Sequence, residues 1–401
     1  MGDTFGLMPW KVEPPVSELR LALVHSVRTL GRPVAATARE FGVSRKTAYK
    51  WLAVHDADPA AAPLADRSRR PACSPGRTAD AVEARVLAVR DRRNWGPRKI
   101  HAYLRSATTA AAAGPAGPDD LPSVRTVARV LRRHGRVGRP AAPAADLQRF
   151  ERAAPNDLWQ LDHQGRVEVE RRKLHPLAVI DDHSRYLLAY EPLPDKTMAR
   201  VWDVLWGVFE SAGMPRQVLC DNAFGTMGPE RPVGLSWFDA RLVRCGVAPA
   251  HGRPYHPQTQ GKVERLHGTA ARELLFFDAR RDRAEHFTAD CARWRVEYNT
   301  QRPHEALGDA VPLSRWRPTT ADRPRPLRLP EPESYYPAGA ELRRACAEGL
   351  LRIDGCRVLV GRGVAGQTLR LERHEREVAV YYCWKQLRRL SHEQLKKDKV
   401  L

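Results

Sequence analysis

The spacing of apolar residues changes along this chain, and each change marks a different kind of module. Between residues 15 and 55, Leu19, Leu21, Leu23, Val24, Val27 and Leu30 predict the apolar face of a first helix. Gly31-Arg32-Pro33 ends it, and Pro33 opens a second helix from Val34 to Phe41. Gly42 supplies the positive φ of a tight turn, and Ser44 caps a third helix that turns Ala48, Trp51 and Leu52 inward. Residues 79–136 repeat the helical period. Val82, Val86 and Leu87 mark one helix, Trp95, Ile100 and Leu104 a second, and Val127, Val130 and Leu131 a third behind a Ser123 cap. Helix, glycine turn, helix is the helix-turn-helix plan, drawn more clearly in the first module than in the second. The stretch from Ala107 to Leu121 is rich in Ala, Gly and Pro and reads as a low-complexity insertion.

From about residue 155 the pattern shortens to that of strands. Leu158 to Asp162, Leu177 to Ile180, Tyr186 to Tyr190 and Gln217 to Cys220 read as strands, with Asp181-Asp182-His183-Ser184 as a hairpin turn. Met198 to Ser211 and Leu235 to Val243 read as helices, Val247-Ala248 as a short strand, and a long helix starts near Thr259. This order predicts a mixed α/β sheet over residues 155–316. After a proline-rich run, Gly349 to Leu390 alternates apolar and charged residues, which predicts a small β-barrel over residues 340–392. The expected fold class is therefore multidomain: N-terminal all-α helix-turn-helix modules, a central α/β domain and a C-terminal small β-barrel.

Composition narrows the partner. The 401 residues are too many for one ordinary domain, and they carry a formal net charge of +20. Charge of that size and sign favours a polyanion, because each neutralised phosphate releases counterions. No apolar run reaches the roughly 18 residues of a membrane span, and no secretory signal opens the chain, so no membrane partner is expected. The seven cysteines include no Cys-x-x-Cys pair, which fits a reducing, intracellular setting and implies no zinc site. On the outer face of the third helix, Arg45, Lys46, Thr47 and Lys50 stand where a recognition helix contacts DNA, and Arg125 and Arg129 do so in the second module. Arg67, Arg69 and Arg70, in a linker over residues 56–78, either follow a DNA groove or belong to a solvated spacer.

Against this basic background three carboxylates stand in order: Asp162 within a strand, Asp221 at the C-terminal end of another, and Glu264 in the first turns of a helix. Open α/β sheets bind ligands at such strand ends. Carboxylates so placed can converge on one point, and such a cluster holds paired Mg²⁺ ions for in-line displacement at phosphorus without a nucleophilic side chain. Lys262 and Arg265 flank Glu264 and either contact phosphates or form a solvated basic face. His267, three residues after Glu264, either reaches the metal site or packs the helix. Asn222 either orients Asp221 or caps the following turn, and Tyr255 and His256 either position DNA or shape their loop. Asp181 and Asp182 are expected in the hairpin turn rather than as ligands.

Asp221-Asn222, the run from Pro254 to Arg265, Tyr298 to His304, and Ile180 to Tyr186 together resemble the integrase core of bacterial insertion-sequence transposases, a group related to retroviral integrases. The resemblance covers residues 155–316. The paired helix-turn-helix modules and Asp66-Arg67-Ser68-Arg69-Arg70 resemble single-frame members of that group. It implies an RNase H-like fold, DNA cleavage and strand transfer, Mg²⁺ or Mn²⁺ as two ions per site, and Asp162, Asp221 and Glu264 as the catalytic, metal-holding acids. Two departures stand out. Forty-two residues separate Asp221 from Glu264, longer than the family's usual gap by about two helical turns' worth. The surplus is expected in a surface loop between Gly225 and Ser236, where insertion costs little. The N-terminal Cys/His zinc module of retroviral integrases is also missing. The expectation is thus a DDE transposase of the bacterial cytoplasm and nucleoid. It would bind the terminal inverted repeats of its element and target DNA, as a homodimer or higher multimer. The rivals are a domesticated DNA-binding protein or repressor, and a metal-dependent nuclease without strand transfer.

Overall fold

The computed structural model describes residues 16–57, 77–110, 121–136, 151–221, 234–251, 261–277, 284–319, 321–396 and 399–400. The chain divides into two compact units, Met1–Arg77 and Thr78–Leu401.

The first unit is three helices, α1 (Val16–Arg28), α2 (Val34–Glu40) and α3 (Arg45–Ala57). Leu23, Val24, Ala38, Ala48, Trp51 and Leu52 are buried between them. Leu19, Leu21 and Leu30, expected on the inner face of α1, are exposed. Positions 19, 21 and 23 are spaced by two, and a helix cannot turn all three to one side. Gly42 adopts φ +65°, and the Ser44 hydroxyl accepts the Thr47 amide at 3.1 Å, which starts α3. Arg28 pairs with Asp56 and ties the end of α1 to the end of α3.

In the second unit, α4 (Asp80–Arg93), α5 (Pro97–Ala110) and α6 (Val124–Arg133) close over Val86, Trp95, Ile100, Val127, Val130 and Leu131. The central sheet contains β1 (Leu158–His163), β2 (Val167–Val169), β3 (Arg172–Asp181), β4 (Leu187–Leu193), β5 (Gln217–Cys220) and β6 (Ala248–His251). β3 pairs antiparallel with β4 on one edge and with β1 and the short β2 on the other; β1, β5 and β6 then run parallel. Helices α7 (Met198–Ala212) and α8 (Trp237–Arg244) bury Val201, Leu205, Phe209, Phe238 and Leu242 against one face. On the other face lie α9 (Gly261–Glu273) and α10 (Ala284–Thr300), through Val263, Leu266, Ala270, Phe287 and Trp294.

The helical module is bonded directly to this core. Arg92 pairs with Glu297 at 2.9 Å, Arg98 with Glu305 at 2.7 Å, and Lys99 with Glu273 at 3.2 Å. The Asn94 amide donates to the Arg272 carbonyl at 2.8 Å.

The C-terminal strands differ from the expected barrel. β7 (Glu341–Arg344), β10 (Thr368–Arg373), β11 (Glu377–Tyr382) and β12 (Lys385–Ser391) form one antiparallel sheet. β8 (Leu350–Ile353), β9 (Cys356–Leu359) and β13 (Lys399–Val400) form another. The two share one apolar core but do not close into a barrel among the described residues. Alternation reports strands buried on one face; it carries no information on whether their edges meet. That core includes Leu235, Ala240 and Val243 from the central domain. The Gly363 amide donates to the Leu235 carbonyl at 2.9 Å, and the Trp384 indole donates to the Val243 carbonyl at 2.8 Å.

Candidate active site

Asp162 is the fifth residue of β1. Its register partner on β3 is Ala178, which belongs to the apolar cluster under α9 and α10. Leu161 belongs to the opposite cluster, under α7. Strand alternation therefore turns Asp162 toward α9. On the parallel side, Leu161 is level with Cys220, also of the α7 cluster. Asp162 is the next residue of β1, and Asp221 directly follows the end of β5. Glu264 is exposed on the first turn of α9, the helix that covers this face.

Electrostatics ties the three together. Burial pushes the Asp162 carboxyl up to about 6. The His163 amide, donating to Oδ1 at 2.8 Å, opposes that rise, whereas the charges of Asp221 and Glu264 add to it. The Lys196 ammonium, exposed just ahead of α7, pulls the other way. His267 lies one turn beyond Glu264, with Nδ1 3.7 Å from Asp162 Oδ2; burial holds it down to about 4, so it is neutral near pH 7. Burial holds His163 down to about 4 as well. Among the described residues no three carboxylate, His or Cys side chains are gathered closely enough to enclose a metal ion. Asp162, Asp221 and Glu264 are still a chemically suitable set: hard oxygen donors whose mutual repulsion a divalent cation would relieve.

Asp181 and Asp182 sit where β3 ends, ahead of the turn into β4, and both are fully buried. Asp181 accepts from the Asn156 amide at 2.7 Å and from the Ser184 amide and hydroxyl. Asp182 accepts from the Arg152 amide at 2.7 Å and from Gln160 Nε2 at 2.8 Å. Lys262, expected at a phosphate or on a solvated face, instead places Nζ 2.5 Å from Asp182 Oδ1, with its side chain 14% exposed. Arg265 is exposed.

Arg45, Lys46 and Lys50 are exposed on α3, and Lys50 leans over the Trp51 ring. The Thr47 hydroxyl is within 2.9 Å of the capping Ser44. Arg125 and Arg129 are exposed on α6, where Arg129 bonds Thr126. Arg67, Arg69, Arg70, Asn222, Tyr255, His256 and nearly all of the Gly225–Ser236 loop lie outside the described residues. Gln160, Asp182 and Lys196 were not anticipated as neighbours of the acids. A signal existed for Gln160, a polar residue set between Trp159 and Leu161 in β1, two positions before Asp162.

Residues 245–312 match a family model described as an integrase core domain, and residues 47–131 match a homeodomain-like domain. The chain is similar to the HTLV-2 integrase catalytic core domain, solved in complex with magnesium in a trimeric form. That likeness has 15% identity over 41% of this chain and 97% of the other, with a TM-score of 0.32. It is similar to a simian T-cell lymphotropic virus intasome chain at 15% identity, over 72% and 98% of the two chains, with a TM-score of 0.35. For the BIV integrase catalytic core domain the values are 20% identity, 40% and 92%, and a TM-score of 0.30. An integrase core beside a homeodomain-like segment fits a transposase or integrase of the DDE class.

Proposed function

We propose that this protein is a bacterial insertion-sequence DDE transposase, a polynucleotidyl transferase that cuts DNA at the ends of its element and joins them to target DNA. One observation carries this reading: Asp162 on one strand and Asp221 directly after the end of its parallel neighbour, on a sheet covered by a helix bearing Glu264, with the charges of Asp221 and Glu264 both acting on Asp162, in a chain of net charge +20. Three like charges in one place cost stability unless a cation shares them, so a site that keeps them is built for one. Bound there, Mg²⁺ or Mn²⁺, as a pair, would activate the attacking oxygen and stabilise the leaving one.

The protein's own residues bind, orient and hold. In the first step water adds to the scissile phosphorus and the element's 3′-oxygen leaves as a hydroxyl. In the second, that hydroxyl attacks a target phosphodiester and displaces the target's own 3′-oxygen. Both are in-line phosphoryl transfers that depend on positioning. Arg265, exposed beside Glu264, faces the backbone. His267, neutral at pH 7, packs against Asp162 and limits its rotation. Arg45, Lys46 and Lys50 on α3, Arg125 and Arg129 on α6, and the linker arginines Arg67, Arg69 and Arg70 engage the terminal repeats. Acting on two ends requires at least two copies on DNA, in the bacterial cytoplasm.

The test is a cleavage and joining assay with labelled duplex carrying the element's flanking repeat, in Mg²⁺ or Mn²⁺, with Glu264→Gln alongside. Joined product from the wild type alone supports the proposal. Tight repeat binding without cutting by either protein would favour a domesticated DNA-binding protein, and cutting without joining a plain nuclease.

A further inference from the structure

Of the three acids, Glu264 is the one carried by a helix rather than by the sheet. Asp162 lies inside a paired strand and Asp221 directly follows one, whereas Glu264 is exposed on the opening turn of α9. The residues around that turn supply the missing constraint. Lys262, two positions before Glu264, reaches down to the fully buried Asp182, with Nζ 2.5 Å from Oδ1 and 3.0 Å from the Asp182 carbonyl. Gln160 is bonded to both sides of this contact. Its Nε2 donates to Asp182 at 2.8 Å, and its Oε1 accepts the Val263 amide at 3.4 Å. Gln160 is two residues before Asp162 on β1 and on the same face, so the tether is built on the strand that carries the first acid. The remaining Asp182 oxygen is held by the Arg152 amide at 2.7 Å.

We propose that the buried Asp182–Lys262 pair, braced by Gln160, is the positioning element for Glu264, fixing the first turn of α9 over the sheet so that the third acid meets the other two. This rests on the reading of Glu264 as a catalytic acid. A buried ion pair is a poor stabiliser compared with apolar packing, but it specifies one register well. A helix that slipped or rotated by one residue would break the Lys262 contact and swing Glu264 about 100° away from Asp162.

The experiment uses the full chain and the double substitution Asp182→Asn with Lys262→Met, which removes both charges and leaves no buried ion alone. Four quantities are read: the thermal midpoint, Mn²⁺ affinity by calorimetry without DNA, amide exchange across α9, and kcat and KM for repeat cleavage. The expected result is an unchanged midpoint with Mn²⁺ affinity weakened about tenfold. Exchange quickens in the first turn of α9 only, and kcat falls while KM for DNA holds. Lys262→Arg recovers most of the Mn²⁺ affinity. Should the double variant not fold, Lys262→Gln carries the same readouts. Wild-type Mn²⁺ affinity and exchange in a folded variant would overturn the proposal. Glu264→Gln separates the two levels. If it weakens Mn²⁺ binding while the tether variants do not, only the positioning role falls. If it leaves Mn²⁺ binding and cleavage intact, or if the wild type binds no Mn²⁺, the assignment of Glu264 falls and the proposal with it.

Discussion

Replacing Asp162 by Asn should stabilise the metal-free protein at neutral pH while destroying its activity, and both effects come from one cause. The carboxyl is raised from the ordinary 3.8 to about 6 by burial, with Asp221 and Glu264 adding to the rise. A folded pKa above the unfolded one means that the folded state binds the proton more tightly. The group therefore costs nothing below the unfolded value, and it destabilises increasingly as pH climbs from about 4 through about 6. The full cost would be ~3 kcal/mol at 1.36 kcal/mol per pKa unit. The side chain is 22% exposed, so solvent screening reduces this to about 1–2 kcal/mol. Asn keeps an oxygen for the His163 amide and carries no charge. Urea unfolding in EDTA, followed by tryptophan fluorescence, should find Asp162→Asn more stable than wild type by that amount near pH 7.5 and equal to it near pH 4. Adding Mg²⁺ should reverse the order, because only the wild type gains the binding term. A variant equal to or weaker than wild type at pH 7.5 in EDTA would refute the claim that the Asp162 carboxylate is held, by burial and its neighbouring acids, in an unfavourable charged state.

Three further outcomes follow from the same structure. A Cβ at Gly363 would lie 2.0 Å from the Ser236 carbonyl oxygen, which is backbone and cannot step aside, so Gly363→Ala should cost about 1–3 kcal/mol. Limited proteolysis should then release the C-terminal sheets, and unchanged digestion would count against the close packing. Arg302 holds both Glu273 oxygens, at 3.1 and 2.9 Å, with side chains 7% and 6% exposed, so Arg302→Met strands a buried carboxylate whose other cation is Lys99. It should lower stability by about 3 kcal/mol in urea titrations, an effect that a solvated pair would not produce. Arg45→Ala with Lys46→Ala should weaken binding to the element's repeat and reduce the slope of log affinity against log salt by about 2; an unchanged slope would remove α3 from the DNA interface.

How much of this was legible in the sequence depends on the range over which each feature is determined. Period-based features were legible. The strand Gln217–Cys220 and the helix starting at Met198 stand where their patterns put them, and Ser44 and Ser123 cap the helices that follow them. α10 is also marked in the sequence: Phe287, Cys291, Trp294 and Tyr298 recur at helical spacing and are all buried. β2, three residues long, is too short to show a period. Barrel closure is a relation between strands that no single strand encodes, and it is not found among the described residues. The positions of Asp162 within β1 and Asp221 after β5 were legible because strand ends are local. Their surroundings were not. Lys262 reads as one more basic residue on a basic chain, and only the fold shows that its charge is committed to Asp182, eighty positions earlier and buried at the end of another strand. The same applies to Lys196, whose pull on Asp162 depends on where the loop before α7 lies. In this protein the sequence pattern marks candidate carboxylates, whereas the long-range pairing of buried charges, such as Asp182 with Lys262, is set by the fold. That division explains why Glu264, the acid with the least strand support, is the one whose helix is pinned by an ion pair.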